Sequence, residues 1–250
     1  MDVCAPQGGR KEEDLIMKRY LVIAVLAALL LCSAGAFADA EGVIVQSSCN
    51  ILQSGEYYLV YTFAQVHNNS DSIICLDQGT FELHNGEQML ASQNVTRMWP
   101  YFLNPGEDGY LFDIVSFEPD EDGTPVVPSV TAIDYNITYM PVAQAFGSMD
   151  LSAVSEIETG AADGSLRVVC EITNPSDEAA YEPNISFGLY TDAGQMIYAD
   201  GMTLEGVGIP AGGTVLVRFD VEEAFVSQWT SYGVTPTQAH VNASFRTETD

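Results

Sequence analysis

Few side chains in this sequence have the types and spacing that catalysis or metal binding requires. The three histidines, His67, His84 and His240, are far apart, and no His-x-x-His or His-Glu-x-x-His pair occurs. Zinc sites use closely spaced nitrogen and sulfur ligands of that kind. The sequence also lacks a Gly-x-Ser-x-Gly motif, a P-loop and a Gly-x-Gly-x-x-Gly fingerprint. We therefore predict no catalytic residues, no metal site and no cofactor, and we do not expect an enzyme.

One acidic loop has the composition of a calcium site. Glu118, Asp120, Glu121 and Asp122 precede Gly123, and carboxylate oxygens on a glycine-containing loop suit Ca²⁺. The loop lacks the downstream glutamate of an EF-hand. A solvated acidic loop is the favoured interpretation, and calcium binding by residues 118–123 stays open.

The stretch at residues 57–66, YYLVYTFAQV, is apolar on both of its faces. A half-exposed antiparallel strand should alternate between apolar and polar residues, so we expect something to cover its outer face. The second half of the chain is one candidate cover, and a partner protein or surface ligand is the other. The candidate interface residues are Tyr57, Leu59, Tyr61 and Phe63.

A second aromatic group, Trp99, Tyr101 and Phe102, could serve a partner in the same way. Aromatic side chains carry large burial energies, so the favoured interpretation is that this group closes one end of a sandwich.

The elements that must position these residues are strands. Runs rich in Val, Ile, Thr, Tyr and Phe alternate with Gly, Pro, Asn and Asp clusters, as at residues 166–173 and 214–221. No long segment has a helical period, and a short helical turn is predicted at residues 222–229. The pattern predicts an all-β protein.

The chain also repeats itself, with a nearly constant offset of 106 positions. The ordered matches pair 68–71 with 174–177, 81–83 with 187–189, 88–90 with 195–197, 105–106 with 210–211, and 135–139 with 241–245. The third match is one residue further apart, which places one extra residue in the turn of the second copy. Each copy has about 100 residues, enough for one sandwich of about seven strands.

The second copy resembles the bacterial FxLYD family, on "FGLYTDAG" from Phe187 with "NPSD" upstream and "IPAGG" downstream. Thr191 stands where the family has Asp. The first copy keeps Phe81 and Leu83 only, followed by His84 and Asn85. The resemblance implies two tandem immunoglobulin-like antiparallel β-sandwich domains in a secreted or surface-anchored bacterial protein. The family's molecular role is poorly defined.

Residues 17–38 have the three parts of a secretory signal: basic Lys18 and Arg19, an apolar run at 21–32, and Ala36-Phe37-Ala38. We expect a signal helix here, with cleavage before Asp39. The alternatives are an uncleaved anchor and a lipoprotein attached at Cys32, where Leu31 departs from the usual small residue.

Residues 1–16 do not belong to such a signal. Lys11-Glu12-Glu13 can be encoded by a purine-rich ribosome-binding sequence, so we take 1–16 as an extension upstream of the true start, Met17. The expected organisation is then sandwich domain 1 at 39–142, a linker at 143–149 and sandwich domain 2 at 150–250.

The charge of the chain excludes two classes of partner. The formal net charge is −27, and residues 39–250 contain four arginines and no lysine. Nucleic acids and anionic membranes both require clustered basic side chains, so we expect neither as a partner. Cysteines are sparse: Cys170 is predicted to be a buried thiol, and pairing of Cys49 with Cys75 stays open.

These features predict an exported, non-catalytic binding or interaction protein of the bacterial cell exterior, with no membrane span after signal cleavage. One alternative is a structural spacer, and another is an enzyme whose site lies at the domain interface. The sequence leaves the partner, the oligomeric state and the relative orientation of the domains open.

Overall fold

The structure is a computed structural model that describes residues 42–142, 148–159 and 165–246. The predicted signal segment 17–38 and the residues before it lie outside these ranges, as does most of the predicted linker. The described residues are mainly strands in antiparallel sheets, which confirms the predicted all-β sandwich fold. Among them, no helix is long and apolar enough to cross a membrane.

The first sandwich contains eight strands. They are β1 (Gly42–Ser54), β2 (Tyr57–Asn68), β3 (Ile74–Asn85), β4 (Gln88–Asn94), β5 (Met98–Trp99), β6 (Phe102–Leu103), β7 (Asp108–Phe117) and β8 (Ala132–Pro141). The order β1-β2-β7-β5 forms one sheet, here called the β2 sheet. The β3 sheet has β4 and β6 along one edge of β3 and β8 along the other.

Within the described residues, the second sandwich contains nine strands and a helix. The strands are β9 (Ser148–Asp150), β10 (Ser152–Thr159), β11 (Leu166–Thr173), β12 (Ala180–Tyr181), β13 (Asn184–Tyr190), β14 (Met196–Thr203), β15 (Gly208–Ile209), β16 (Thr214–Val221) and β17 (Gln238–Arg246). The order β10-β11-β16 forms the β11 sheet, and β14-β13-β17-β9 forms the β13 sheet. Helix α1 (Glu223–Ser231) lies near the predicted helical turn.

Each sandwich closes over its own apolar core because alternate strand residues point to the same face. In the first, Val60 of β2 and Phe81 of β3 belong to one buried cluster. In the second, Val168 of β11 and Phe187 of β13 belong to another. The apolar positions that the strand pattern selected therefore form the facing layers of both sandwiches.

The duplication is visible in the strands themselves. Strands β7 and β16 begin at Asp108 and Thr214, and β8 and β17 begin at Ala132 and Gln238, each pair 106 positions apart. Both copies also have a register shift at equivalent positions, between Leu83 and His84 and between Leu189 and Tyr190. The extra residue of the second copy lies in the turn before Gln195, as the sequence predicted.

A buried asparagine closes the same corner in both copies. Asn68 and Asn174 are fully buried, and the side-chain amide of each donates to two backbone carbonyls. In the first copy the acceptors are Ser72 and Leu103, both at 2.9 Å. In the second copy they are Glu178 at 2.7 Å and Ile209 at 3.0 Å. Those acceptors are again 106 positions apart. These two asparagines, which in sequence look like ordinary turn residues, therefore make the same buried hydrogen bonds in both copies.

Candidate functional site at the junction of the two sandwiches

The two sandwiches meet through the outer faces of the β2 and β13 sheets, and we call this contact the junction. In β13, Phe187 and Leu189 point into the core of the second sandwich, so Gly188 and Tyr190 face the other way. A Cβ built on Gly188 would lie 2.7 Å from the Tyr110 ring of the first sandwich. Glycine at this position therefore allows the two sheets to approach closely.

Two tyrosines and two glutamines form a hydrogen-bonded network across the junction. The Tyr190 hydroxyl donates to Gln65 Oε1 at 3.0 Å and lies 3.1 Å from the Tyr110 hydroxyl. Because the single Tyr190 proton goes to Gln65, the Tyr110 hydroxyl is the donor within the tyrosine pair. The His240 carbonyl at 3.4 Å is a second acceptor for the Tyr110 proton. Gln46 donates to Gln65 Oε1 at 3.0 Å and accepts from the backbone N–H of Met196 at 2.9 Å.

The network carries no charge. Burial raises the pKa of Tyr190 to about 12, and burial also raises the pKa of Tyr110 well above its ordinary value. Both hydroxyls therefore stay protonated at neutral pH. The arrangement holds two surfaces together, and it supplies no base or nucleophile.

A second buried polar contact lies where helix α1 meets β1. Asn50 donates to the Ile197 carbonyl at 2.9 Å and accepts from the Trp229 indole N–H at 2.9 Å. Both bonds join the first sandwich to the second, and Asn50 is itself buried. Fully satisfied polar groups of this kind fix one relative orientation, because any slip would leave them unpaired.

Two of the four predicted interface residues lie in the junction. Phe63 is fully buried and its ring centroid is 5.1 Å from that of Tyr198. Tyr61 is half-buried and meets Phe225 edge-on at 4.8 Å. The second sandwich therefore covers this part of the strand, which is one of the two covers that the sequence left open.

The other two predicted interface residues lie outside the aromatic contact. Leu59 is half-buried, and Tyr57 at the start of β2 is exposed. In this structure Phe63 offers no surface to a partner, so the partner interpretation does not apply to it. The sequence grouped four residues because they share a strand face, and the second sandwich covers only part of that face.

An aromatic pair, half-buried Trp99 and exposed Tyr101, lies at the edge of the junction, and we call it, together with Arg97, the rim. The ring centroids of Trp99 and Tyr101 are 4.7 Å apart, and Tyr101 is 51% exposed. A Cβ on Gly201 of β14 would lie 2.6 Å from the Trp99 ring. The Arg97 guanidinium lies 5.5 Å from the Phe112 ring centroid, at the distance of a cation–π contact.

Asp200, on the β14 strand beside Gly201, lies within electrostatic range of Arg97. Burial raises the pKa of Asp200, and the nearby Arg97 charge opposes that shift. Asp200 Oδ1 accepts the Gly201 N–H at 2.7 Å. The rim is thus aromatic at its centre and polar around it.

The histidines do not come together. His67 contacts Asp108 at 2.8 Å, His84 contacts Glu82 at 3.1 Å, and the ring of His240 lies beside that of Tyr190. Within the described ranges, no group of three His, Cys, Asp or Glu side chains is placed to hold a metal ion.

The acidic loop is organised by its own backbone. Asp120 Oδ1 accepts the N–H groups of Asp122 at 3.1 Å and Thr124 at 2.8 Å, which is the chemistry of a turn. This contact explains why an aspartate stands at that position without invoking an ion.

The three cysteines of the described ranges are free thiols. Burial raises the pKa of Cys49 to about 12 and that of Cys170 to about 11, and it also raises the pKa of Cys75. The reactive form of a cysteine is the thiolate, and a raised pKa favours the neutral thiol at all three positions.

Sequence reasoning missed Gln46, Gln65 and Tyr110 altogether. A signal was present for Gln65, because a glutamine interrupts an otherwise apolar run. Tyr190 appeared in sequence only as part of the FGLYTDAG motif, and its hydroxyl lies at the centre of the junction.

Comparison with known proteins adds little. No protein-family model matches the chain, and no curated protein matches it. Among solved structures, the chain is similar to the crystal structure of red sea bream transglutaminase, with 10% sequence identity and a TM-score of 0.23. The match covers 98% of this chain and 32% of that one. A superposition this loose indicates nothing about the activity of this chain.

Proposed function

We propose that this protein is an exported, non-catalytic interaction protein of the bacterial cell exterior, and that the rim of the junction contacts its partner. The observation that carries the proposal is the exposed Tyr101 ring packed on Trp99. Aromatic residues and arginine are enriched in protein interfaces and dominate their binding energy. An aromatic group that is already ordered loses little entropy on binding.

Contacts at the junction fix the position of the rim residues relative to the second sandwich. Trp99 belongs to the first sandwich and lies against Gly201 of the second. Any rotation of one sandwich against the other would separate them. The buried network of Gln65, Tyr110 and Tyr190 opposes such rotation, so the pair of sandwiches presents the rim as one rigid surface.

Charge narrows the class of partner. With a net charge of −27, the chain repels acidic surfaces and attracts basic ones at long range. We infer a protein partner whose contact face is neutral or basic.

Export supports an exterior partner. The signal layout of residues 17–38 and the resemblance of the second copy to the FxLYD family both favour a location outside the cytoplasmic membrane. Release by cleavage before Asp39 is the form we propose, with an uncleaved anchor or a lipoprotein at Cys32 as alternatives.

The test is retention of purified residues 39–250 on intact cells of the source bacterium. We expect saturable retention, weakened about tenfold or more in Tyr101→Ala, as for a central aromatic residue of an interface. Tyr181→Ala is the matched control, because Tyr181 is 70% exposed in the second sandwich and lies outside the rim.

The rigid junction also favours the second candidate, a spacer that only holds other groups apart. A spacer needs no aromatic contact at the rim. Equal retention of wild type and Tyr101→Ala, or no saturable retention at all, would favour the spacer over the interaction protein.

A further inference from the structure

Strand β16 forms an open edge of the second sandwich. Within the described residues it pairs only with β11, at the end of the order β10-β11-β16. Four of its residues, alternating along the strand, are exposed: Thr214, Leu216, Arg218 and Asp220. An edge strand carries a row of unpaired backbone N–H and C=O groups, which is a template for a further strand.

The first copy covers the equivalent edge with a strand of its own. There β5 pairs antiparallel with β7, the counterpart of β16. The residues 106 positions after β5 are Leu204 and Glu205. They form a turn instead, in which the Val207 N–H donates to the Leu204 carbonyl at 3.1 Å. The second copy therefore leaves open an edge that the first copy fills.

The first copy also shows which backbone groups of β16 point outward. Phe112 is the counterpart of Arg218, and its backbone N–H donates across the β7 edge to the Arg97 carbonyl at 3.4 Å. Both strands have the same register against their inner neighbours. Outward and inward groups alternate along an antiparallel strand. Arg218 therefore presents its N–H and C=O to the open edge, as do Leu216 and Asp220.

The charges along this edge are complementary to themselves. If two β16 strands pair antiparallel about a twofold axis at Phe219, Arg218 of each strand lies opposite Asp220 of the other. These pairs also exchange backbone hydrogen bonds, because both residues present outward groups. Opposite charges across a strand pair are favourable and like charges are unfavourable. An axis at Arg218 or at Asp220 would set like charges opposite each other, and an axis at Val217 would pair none.

Asp220 has room for a second cation. Its Oδ1 accepts the Arg167 Nε–H at 2.6 Å, and its side chain is still 72% exposed. Arg218 of a second copy would approach from the opposite side of the carboxylate, since β11 and the added strand flank β16. Charged residues on an edge usually oppose pairing. Here their order favours one register.

We propose that a second copy of this chain pairs with β16, so that the two β11 sheets join into one continuous sheet across a symmetric dimer. The net charge of −27 on each chain opposes association at long range, so the dimer is weak and reversible. The edge includes no residue of the rim or of the Tyr110–Tyr190 contact, and the dimer is therefore independent of the partner proposed for the rim.

Sedimentation velocity of purified residues 39–250 tests the proposal, at protein concentrations from about 1 μM to about 1 mM. We expect a reversible monomer–dimer equilibrium in the wild type. Arg218→Asp sets like charges opposite each other in both pairs and should weaken the dimer about tenfold or more. Arg246→Asp makes the same change in net charge on β17, in the other sheet, and should leave the equilibrium unchanged.

A mixture of two variants keeps the test decisive. Asp220→Arg should also weaken the dimer, because it places an arginine opposite Arg218. Mixed with Arg218→Asp, it should form a heterodimer with opposite charges in both pairs. Both variants should fold, since the exposed bridge from Arg167 contributes little to stability, and circular dichroism checks this.

Three results would overturn the proposal. Wild-type monomers at every concentration would favour another occupant of the edge, such as a segment of a different protein. A dimer that persists in Arg218→Asp would form through another surface. A mixture of folded variants that stays monomeric would show that Arg218 and Asp220 do not face each other across the dimer.

Discussion

The hydroxyl of Tyr110 lies 3.1 Å from the hydroxyl of Tyr190, and the two residues belong to different sandwiches. Tyr190 ends the Phe-x-Leu-Tyr strand of the second copy. In the first copy the equivalent residue is His84, which contacts Glu82 of its own strand. The two copies therefore differ at this position. Tyr190 of the second copy bonds to the first sandwich, whereas His84 of the first copy bonds within its own strand.

Removing that hydroxyl should destabilise the protein. Tyr190→Phe leaves Gln65 Oε1 and the Tyr110 hydroxyl each with one partner fewer in a buried place, which costs about 1–3 kcal/mol. Urea unfolding measures the loss. Tyr181→Phe removes an exposed hydroxyl and should change the free energy of unfolding by less than about 0.5 kcal/mol. Equal stability of Tyr190→Phe and wild type would contradict the network.

Adding a methyl group at Gly201 should push the sandwiches apart. A Cβ there would lie 2.6 Å from the Trp99 ring, and overpacking of this kind costs about 1–3 kcal/mol. We expect Gly201→Ala to lower the melting temperature. In a double-mutant cycle, Trp99→Gly should relieve part of the cost, because it removes both the ring and the Trp99 Cβ, which would lie 2.7 Å from the new methyl group. Additive effects of the two changes would show that the residues do not touch.

Much of the fold was predictable because it is repeated in the chain. Alternating apolar residues predicted the strands, and the offset of 106 positions predicted equivalent strands in the two copies, as β7 and β16 show. The corner asparagines were visible only as turn formers. Their bonds to Leu103 and Ile209 join residues far apart in sequence, and no local pattern reports such bonds.

The two buried asparagines, Asn68 and Asn174, should contribute similarly to the free energy of unfolding. Asn68→Ala and Asn174→Ala each remove one buried and one half-buried bond from the side-chain amide to backbone carbonyls, at about 1 kcal/mol per bond. We expect each variant to lose about 2–3 kcal/mol in urea unfolding, with Asn69→Ala, an exposed neighbour, as the control. A large loss in one copy and none in the other would contradict equivalent roles.

Acid should stabilise the protein through Asp200. Burial raises the pKa of Asp200, so the folded state binds a proton more readily than the unfolded chain does. That stabilisation is complete below the unfolded pKa of about 4 and is lost as the pH rises through the folded pKa. Unfolding free energies measured across this range should vary less in Asp200→Asn than in wild type.

Asp192 offers the control for the pH experiment. It is exposed on the turn before Gln195, so Asp192→Asn removes the same formal charge without the burial. Its unfolding free energy should follow the pH dependence of the wild type. Identical pH profiles of Asp192→Asn and Asp200→Asn would show that total charge, and not burial at the rim, sets the dependence.

The junction was less predictable than the strands. The apolar outer face of β2 indicated that something covers Tyr61 and Phe63, but the choice of cover depends on how two domains dock, which alternation does not encode. The burial of Asp113 in β7 was hidden for a similar reason: an aspartate in an alternating strand looks like a solvent-facing residue until its counterpart, Phe219, is known to be core.

Retention of purified residues 39–250 on intact cells of the source bacterium tests the central claim most directly. The account predicts saturable binding that Tyr101→Ala weakens about tenfold or more and that Tyr181→Ala leaves unchanged, with both variants as stable as wild type. Binding of Tyr101→Ala at the wild-type level, or no saturable binding of the wild type, would contradict an interaction role for the rim.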